Sequence, residues 1–166
     1  LSSKMDSINS FEELLFACDA QYFTNGIESL TSLADNSINI IISQACLEHV
    51  RKCEFEALVA ELFRIGATGS LSIHSIDFKD HLSYGLNNLR FSEEVWESQF
   101  MSSSGFYTNR LRYSDMNLAF VTAGFEIVKE ETSVWDTAPL LKHKLHPMFH
   151  MYDEQDLRIK EAKIVL

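Results

Sequence analysis

The segment His74-Ser-Ile-Asp-Phe-Lys-Asp-His81 gathers two histidines and two aspartates in a short stretch. An imidazole titrates near neutral pH and can take a proton from a hydroxyl or an amine. His74 and His81 are therefore the candidate general bases. A divalent cation held by His74, Asp77, Asp80 and His81 is the competing chemistry. Their spacing matches no established metal motif, so no metal is expected. The plain structural alternative is that these loop side chains are solvated or cap backbone amides.

A second set of polar residues follows. Asn88, Arg90, Tyr107, Asn109 and Arg110, with Asn87, offer donors suited to a polyhydroxylated or anionic small molecule. With Asp77 and His49 they form the expected substrate-binding set. The alternative is a packed excursion in which Phe91, Trp96, Phe100 and Phe106 are anchors and the polar residues face water. His49 likewise either faces a cleft or fixes its own loop by hydrogen bonds.

Elements must position these residues. Asn36-Ser-Ile-Asn-Ile-Ile-Ile-Ser43 is a polar turn followed by an apolar, β-branched run, which predicts a buried strand over 38–43. Phe55, Leu58, Val59, Leu62 and Phe63 recur at helical spacing, with glutamates between them. Gly66 and Gly69 supply the turn chemistry into a strand over 71–76. Ser10-Phe-Glu-Glu13 is a capping box that predicts a helix from Ser10 to about Gln21, and 22–24 is read as a short strand. Ser92 and Ser114 are expected helix caps, Gly124 a helix end, 125–135 a strand, Asp153 a short helical cap and 162–166 a final strand. Residues 1–9 are polar and expected to be loose.

The run Asp35-Asn-Ser, the strand, and then Leu47-Glu-His49 resembles the fourth strand and following loop of class I S-adenosylmethionine-dependent methyltransferases, of the type 11-like group. Arg64-Ile-Gly-Ala-Thr-Gly-Ser70 stands where that family usually reads Arg-Val-Leu-x-Pro-Gly-Gly, without the proline. The resemblance implies a doubly wound, Rossmann-like α/β sheet of order 3-2-1-4-5-7-6, helices on both faces and the last strand antiparallel. It implies S-adenosylmethionine as cofactor, with Ile27 and Glu28 in the adenine loop and Ser43, Gln44 and Ala45 at the end of the fourth strand. Gly26 stands where the family often has an aspartate.

One family feature is missing. The six glycines, at 26, 66, 69, 85, 105 and 124, include no G-x-G pair, so no turn cradles the cofactor before a helix N-terminus. The chain therefore corresponds to the C-terminal portion of such a fold with its first strands missing, a reading that suits its start at Leu1. It is expected to bind the cofactor weakly or not at all. Residues 1–166 are read as one domain, with 77–112 an insertion that forms a substrate lid. An apolar strand at 38–43 without its neighbour invites pairing, so a homodimer is expected.

Composition agrees with this reading. The net charge of −10 argues against nucleic acid, which needs clustered Lys and Arg. No run approaches the ~20 apolar residues that span a bilayer. Cys18, Cys46 and Cys53 match no metal spacing and suit reduced thiols in the cytoplasm. The expected function is methyl transfer to a small-molecule acceptor, with this chain alone expected to be inactive as a fragment. The alternative is a non-catalytic, methyltransferase-like interaction or oligomerisation module.

Overall fold

Three isoleucines in succession favour extended backbone, because β-branched side chains are stiff at χ1 and pack well on a pleated surface. In the computed structural model, which describes residues 8–166, they form β1, Ile38–Gln44. The chain divides into two compact units, one ending at Leu33 and one running from Ala34 to Leu166.

In the first unit, α1 spans Phe11–Cys18. The Ser10 hydroxyl accepts from the Glu13 amide at 3.1 Å, and Glu13 accepts in turn from the Asn9 amide at 2.8 Å. The helix stops short of Gln21 because Asp19 turns left-handed, φ 50°. The strand expected over 22–24 does not form. Tyr22 instead packs its ring edge-on against Phe11, centroids 5.2 Å apart. Gly26, at φ 56°, precedes α2, Ile27–Thr31. The expectation for residues 1–9 falls outside the described residues as far as residue 7.

The second unit is built on a sheet of order β1-β2-β4-β3, with β2 Gly66–Asp77, β3 Lys129–Val134 and β4 Ile159–Val165. β1 and β2 are parallel; β4 is antiparallel to both β2 and β3. This is the 4-5-7-6 portion of the expected order. The register steps from Ile38↔Gly66 to Ile40↔Leu71, so 67–70 bulge from the ladder, with Gly69 at φ 76°. Gly66 closes the preceding helix at an ordinary φ of −62°.

Two helices cover one face. α3, Lys52–Ile65, brings Phe55 and Val59, and α6, Tyr113–Ala123, brings Met116 and Phe120, onto Ile76, Ala162 and Ile164 of the sheet. Between α3 and α6 lie the short helices α4, Glu93–Trp96, and α5, Gln99–Ser102, capped by Ser92 and Ser98. α6 is capped by Arg112, not by Ser114, whose hydroxyl donates to Asp156 at 2.8 Å. A smaller core of Leu86, Leu89, Leu145, Phe149 and Leu157 ties the excursion to the C-terminal segment and α7, Glu154–Arg158. On the other sheet face Ile40, Ile42 and Leu71 are 61%, 70% and 45% exposed, so the strand expected to be buried on both faces is covered on one only.

Gly124 ends α6 at φ 110°, and a Cβ there would meet the Phe63 ring at 2.7 Å. Gly124→Ala should therefore cost about 1–3 kcal/mol, through left-handed strain and displacement of Phe63. Urea denaturation checks this. A loss under about 0.5 kcal/mol, the range of an ordinary surface change, would mean that the ring yields freely.

Candidate functional site

Ligands of open α/β sheets bind beyond the carboxyl ends of the parallel strands. Here those ends are Gln44 in β1 and Asp77 in β2. A cavity of about 490 Å³ lies against them, lined by Gln44, Ala45, Ser75, Asp77, Glu131 and Glu161 among others. Ala45 turns left-handed at φ 46° as it leaves β1, and its amide donates to the Ser75 carbonyl at 2.9 Å. The Asp77 carboxylate accepts from the Lys79 amide at 2.8 Å and pairs with Lys79 Nζ at 3.2 Å. Lys79 also bonds Glu161, so this cation is shared by two of the lining carboxylates.

The turn after β1, Leu47–His49, carries His49 to the surface, while His81 reaches the same place from the loop after β2. Their rings stand 4.9 Å apart between centroids, tilted by 55°. His49 Nδ1 lies 3.0 Å from the Tyr107 carbonyl. A carbonyl only accepts, so Nδ1 carries the proton and Nε2 keeps its lone pair. His81 Nδ1 approaches the Gly105 carbonyl more loosely, at 3.4 Å. The sequence reading left His49 either in the cleft or fixing its loop. The structure shows the second, with Nδ1 anchored to the Tyr107 carbonyl and the ring at the surface.

His74 is not in this group. β2 alternates its side chains, and His74 falls on the helix-covered face, fully buried and stacked on Phe120 at 5.2 Å. Nδ1 meets the Ser43 hydroxyl at 2.8 Å and Nε2 the Ser72 hydroxyl at 2.7 Å. Burial lowers its pKa to about 4. The expectation that His74 acts as a base is corrected: with both nitrogens engaged and no exposed surface, it cannot meet a substrate proton. Ser43 leaves the cofactor set with it, because its hydroxyl turns inward to His74. Gln44 and Ala45 remain at the cavity. Ile27 and Glu28 open α2 in the first unit.

Most of the expected substrate-binding donors turn out to be internal clamps. Asn109 donates to the Leu47 and Val50 carbonyls at 2.8 and 3.1 Å, holding the turn that carries His49. Tyr107 is buried, with its hydroxyl donating to Glu97 at 2.9 Å and accepting from the Lys52 amide at 3.2 Å; burial pushes its pKa up to about 12. Arg110 donates to the Phe91 carbonyl at 2.7 Å and to Glu93 at 2.6 Å, sandwiched between Trp96 and Phe149. Asn88 is buried and donates to Thr108 at 3.0 Å. These four are corrected to structural roles: a guanidinium or amide spent on backbone carbonyls is not available to a ligand. Among the expected donors from 88 to 110, Arg90 alone is exposed. Of the four aromatic anchors only Trp96 is buried; Phe91, Phe100 and Phe106 are 39%, 83% and 51% exposed.

The four side chains weighed as metal ligands are likewise dispersed. Asp80, fully buried, accepts from the amides of Leu82, Ser83 and Asn87 and organises its own loop. Among the described residues no group of three His, Cys, Asp or Glu is placed to hold a metal ion. Cys18, Cys46 and Cys53 are free and exposed. No described helix is long and apolar enough to cross a membrane.

Glu48 is not among the expected site residues. It is 3% exposed, and neither carboxyl oxygen has a hydrogen-bond partner among the described residues. Burial raises its pKa, nearby Asp77 adds to the rise, and His49 opposes it. Its place inside Leu47-Glu48-His49 was the available signal, but nothing in a sequence says which way the middle side chain points.

A second cavity, of about 600 Å³, opens between α3, α6 and Met148–Tyr152. It holds none of the expected site residues.

No family model matches the chain, and no curated protein matches it. Solved structures do. A SAM-dependent methyltransferase from Archaeoglobus fulgidus superposes with a TM-score of 0.54 at 10% identity, over 94% of this chain and 72% of that one. Another, from Methanosarcina mazei, gives 0.56 at 15% identity, over 88% of this chain and 66% of that one. This chain thus spans about two thirds to three quarters of their lengths. Identities this low speak for architecture, and they agree with the strand order and directions above: the chain has the class I methyltransferase fold.

Proposed function

We propose that the protein transfers a methyl group from S-adenosylmethionine to a small-molecule acceptor, as a cytoplasmic homodimer. The observation that carries this reading is the His49–His81 pair on the loops that follow β1 and β2, the two strands whose carboxyl ends line a cavity. Gln44 and Ala45, at the cavity, would hold the methionine part of the cofactor. The cofactor, when bound, would supply an electrophilic methyl group to an oxygen, nitrogen or carbon of the acceptor. The acceptor proton passes to a histidine Nε2, with His81 as base. His49, whose tautomer is held by the Tyr107 carbonyl, orients the acceptor together with Asp77 and Arg90. The 77–112 excursion is the lid, since it delivers His81. Cofactor affinity is weak in this chain, because no G-x-G turn supplies amides to it.

Radiolabelled methyl transfer at saturating cofactor tests the reading. His81→Ala should lower kcat about a hundredfold, the usual contribution of a general base. His49→Ala should act mainly on KM. His143→Ala, outside the pair, should change little. Parent-like turnover in both His81→Ala and His49→Ala would remove the pair from the mechanism. The second reading is a non-catalytic interaction module, which turnover in the parent would exclude.

A further inference from the structure

We propose that the cavity between α3, α6 and Met148–Tyr152 is a second ligand site, which takes a small amphiphile with an apolar body and an ammonium head. The site is independent of the methyl-transfer reading and shares no lining residue with the cavity at Gln44 and Asp77.

Every wall of this cavity follows β1 in the chain. α3 crosses from β1 to the parallel strand β2, while α6 and Met148–Tyr152 come after β2, on the flank of α3 turned away from the outer edge of β1. A strand or helix preceding β1 adjoins that edge and the other flank of α3. The volume, about 600 Å³, falls in the range of about 300–1,000 Å³ usual for small-molecule sites. Ala60, Ala119 and Ala123 carry nothing beyond Cβ and so keep the groove between the helices wide. Leu118 and Met151 form apolar walls and are 66% and 77% exposed. A methionine wall adapts its shape to an apolar guest.

The polar groups choose the head. Lys52, Glu56 and Asp115 are the charged side chains that line the cavity. Its donors are spent: Lys52 Nζ lies 2.7 Å from Glu93, and the Tyr152 hydroxyl donates to Asp115 Oδ2 at 2.7 Å. The Arg112 amide donates to the same Oδ2, also at 2.7 Å, which leaves Asp115 Oδ1 without a partner among the described residues. Glu56 is exposed and makes no hydrogen bond or ion pair among the described residues. The unspent capacity is therefore acceptor only and negatively charged, which suits an ammonium and repels a carboxylate or phosphate. The polarity also has a direction. α3 leads into β2 and α6 into β3, and both strands are antiparallel to β4, so the two helices run the same way. Glu56 and Asp115 thus lie toward one end of the groove, and Ala60 and Ala123 toward the other. An ammonium at the first end places its chain along the alanines.

Calorimetric titration of the 166-residue chain without cofactor tests the site apart from any methyl transfer. Octylammonium should bind at neutral pH with a Kd of about 100 µM, within reach of a ligand of about nine heavy atoms. Octanoate, of the same chain length, should bind at least about tenfold more weakly. Glu56→Lys reverses a charge at an exposed position, and Ala60→Trp fills the apolar end from an exposed position. Each should weaken octylammonium at least about tenfold while keeping the circular dichroism spectrum of the parent. Leu71→Ser, on the opposite sheet face, should bind octylammonium like the parent. Equal affinity for the two amphiphiles overturns the proposal, as does a Kd for octylammonium above about 1 mM, the floor of useful affinity. Parent-like binding in either Glu56→Lys or Ala60→Trp also overturns it. So does a loss in Leu71→Ser, which would place the amine on the sheet face.

Discussion

Arg112→Met should lower the stability of the fold by about 3–5 kcal/mol, the scale of breaking a buried charged cluster. The Arg112 guanidinium is 2% exposed and donates to three backbone carbonyls: Phe78 at 3.0 Å, Asp156 at 3.0 Å and Ile159 at 2.6 Å. It also lies over the Phe78 ring at 5.2 Å. One side chain thus ties the residue after β2, the end of α7 and the start of β4. Burial lowers its pKa to about 10, against the pull of Asp156, Tyr152 and Asp115. Methionine relieves the cost of burying a charge, and an apolar residue is often well tolerated when both members of a buried pair are replaced. Here the partners are main-chain carbonyls that no substitution removes. Each carbonyl left unsatisfied costs about 1–3 kcal/mol, and partial entry of water keeps the total below the simple sum. Urea denaturation of the two proteins measures the difference. Arg90→Met, at an exposed position, should stay within about 0.5 kcal/mol of the parent. A loss below about 1 kcal/mol for Arg112→Met would show that the carbonyls find other donors.

The second large effect is on pH dependence, and it belongs to His74. Burial depresses its folded pKa to about 4, from about 6.5 in the unfolded chain. Between those values the unfolded state binds the proton and the folded state does not, so stability rises with pH across that window. The contribution is fully present above about pH 6.5, is lost as pH falls toward 4, and changes no further once both states are protonated. Its size is about 3 kcal/mol, from some two and a half pH steps at about 1.4 kcal/mol each. Ser43, Ser72 and Phe120 surround the ring, and none of them is charged. Glu48 and Asp156, both raised by burial, work in the opposite sense, gaining stability as pH falls. The informative quantity is therefore the difference between parent and His74→Gln, which keeps hydrogen bonds to the two serines but does not titrate. Denaturation at pH 7 and pH 4 should show the parent losing about 3 kcal/mol more than the variant. Parallel losses in the two proteins would mean that His74 is hydrated or charged in the folded state.

The local elements were legible because their signals are short-range. Ile38 to Ile42 announces a strand by β-branching, α3 by apolar spacing, and the end of α6 by Gly124, which stands at the left-handed position that glycine favours. The family resemblance in Asn36–His49 carried the sheet order 4-5-7-6, including the antiparallel last strand. The misses at this level were also local competitions. Asp19 stopped α1 three residues early, and Tyr22 found a ring partner in Phe11 rather than a strand partner.

What could not be read was which polar residues face water. His74 and His81 look alike as residues near the end of β2, yet strand alternation puts one under Phe120 and the other beside His49, across a loop wound on Asp80. Asn88, Tyr107, Asn109 and Arg110 read as ligand donors because amides, phenols and guanidinium groups serve ligands and backbone carbonyls equally well. The folded chain supplied carbonyls: Leu47 and Val50 for Asn109, Phe91 for Arg110. A loop as irregular as 77–112 leaves many main-chain groups without ladder partners, and buried groups of that kind must be satisfied. Their demand is set by where distant segments cross, which spacing along one chain does not encode. Periodicity, β-branching and turn chemistry therefore determined most of the strands and helices, whereas the pairing of His49 with His81 and the conversion of expected ligand donors into clamps came from contacts between residues 19 to 62 positions apart, where tertiary packing alone decides orientation.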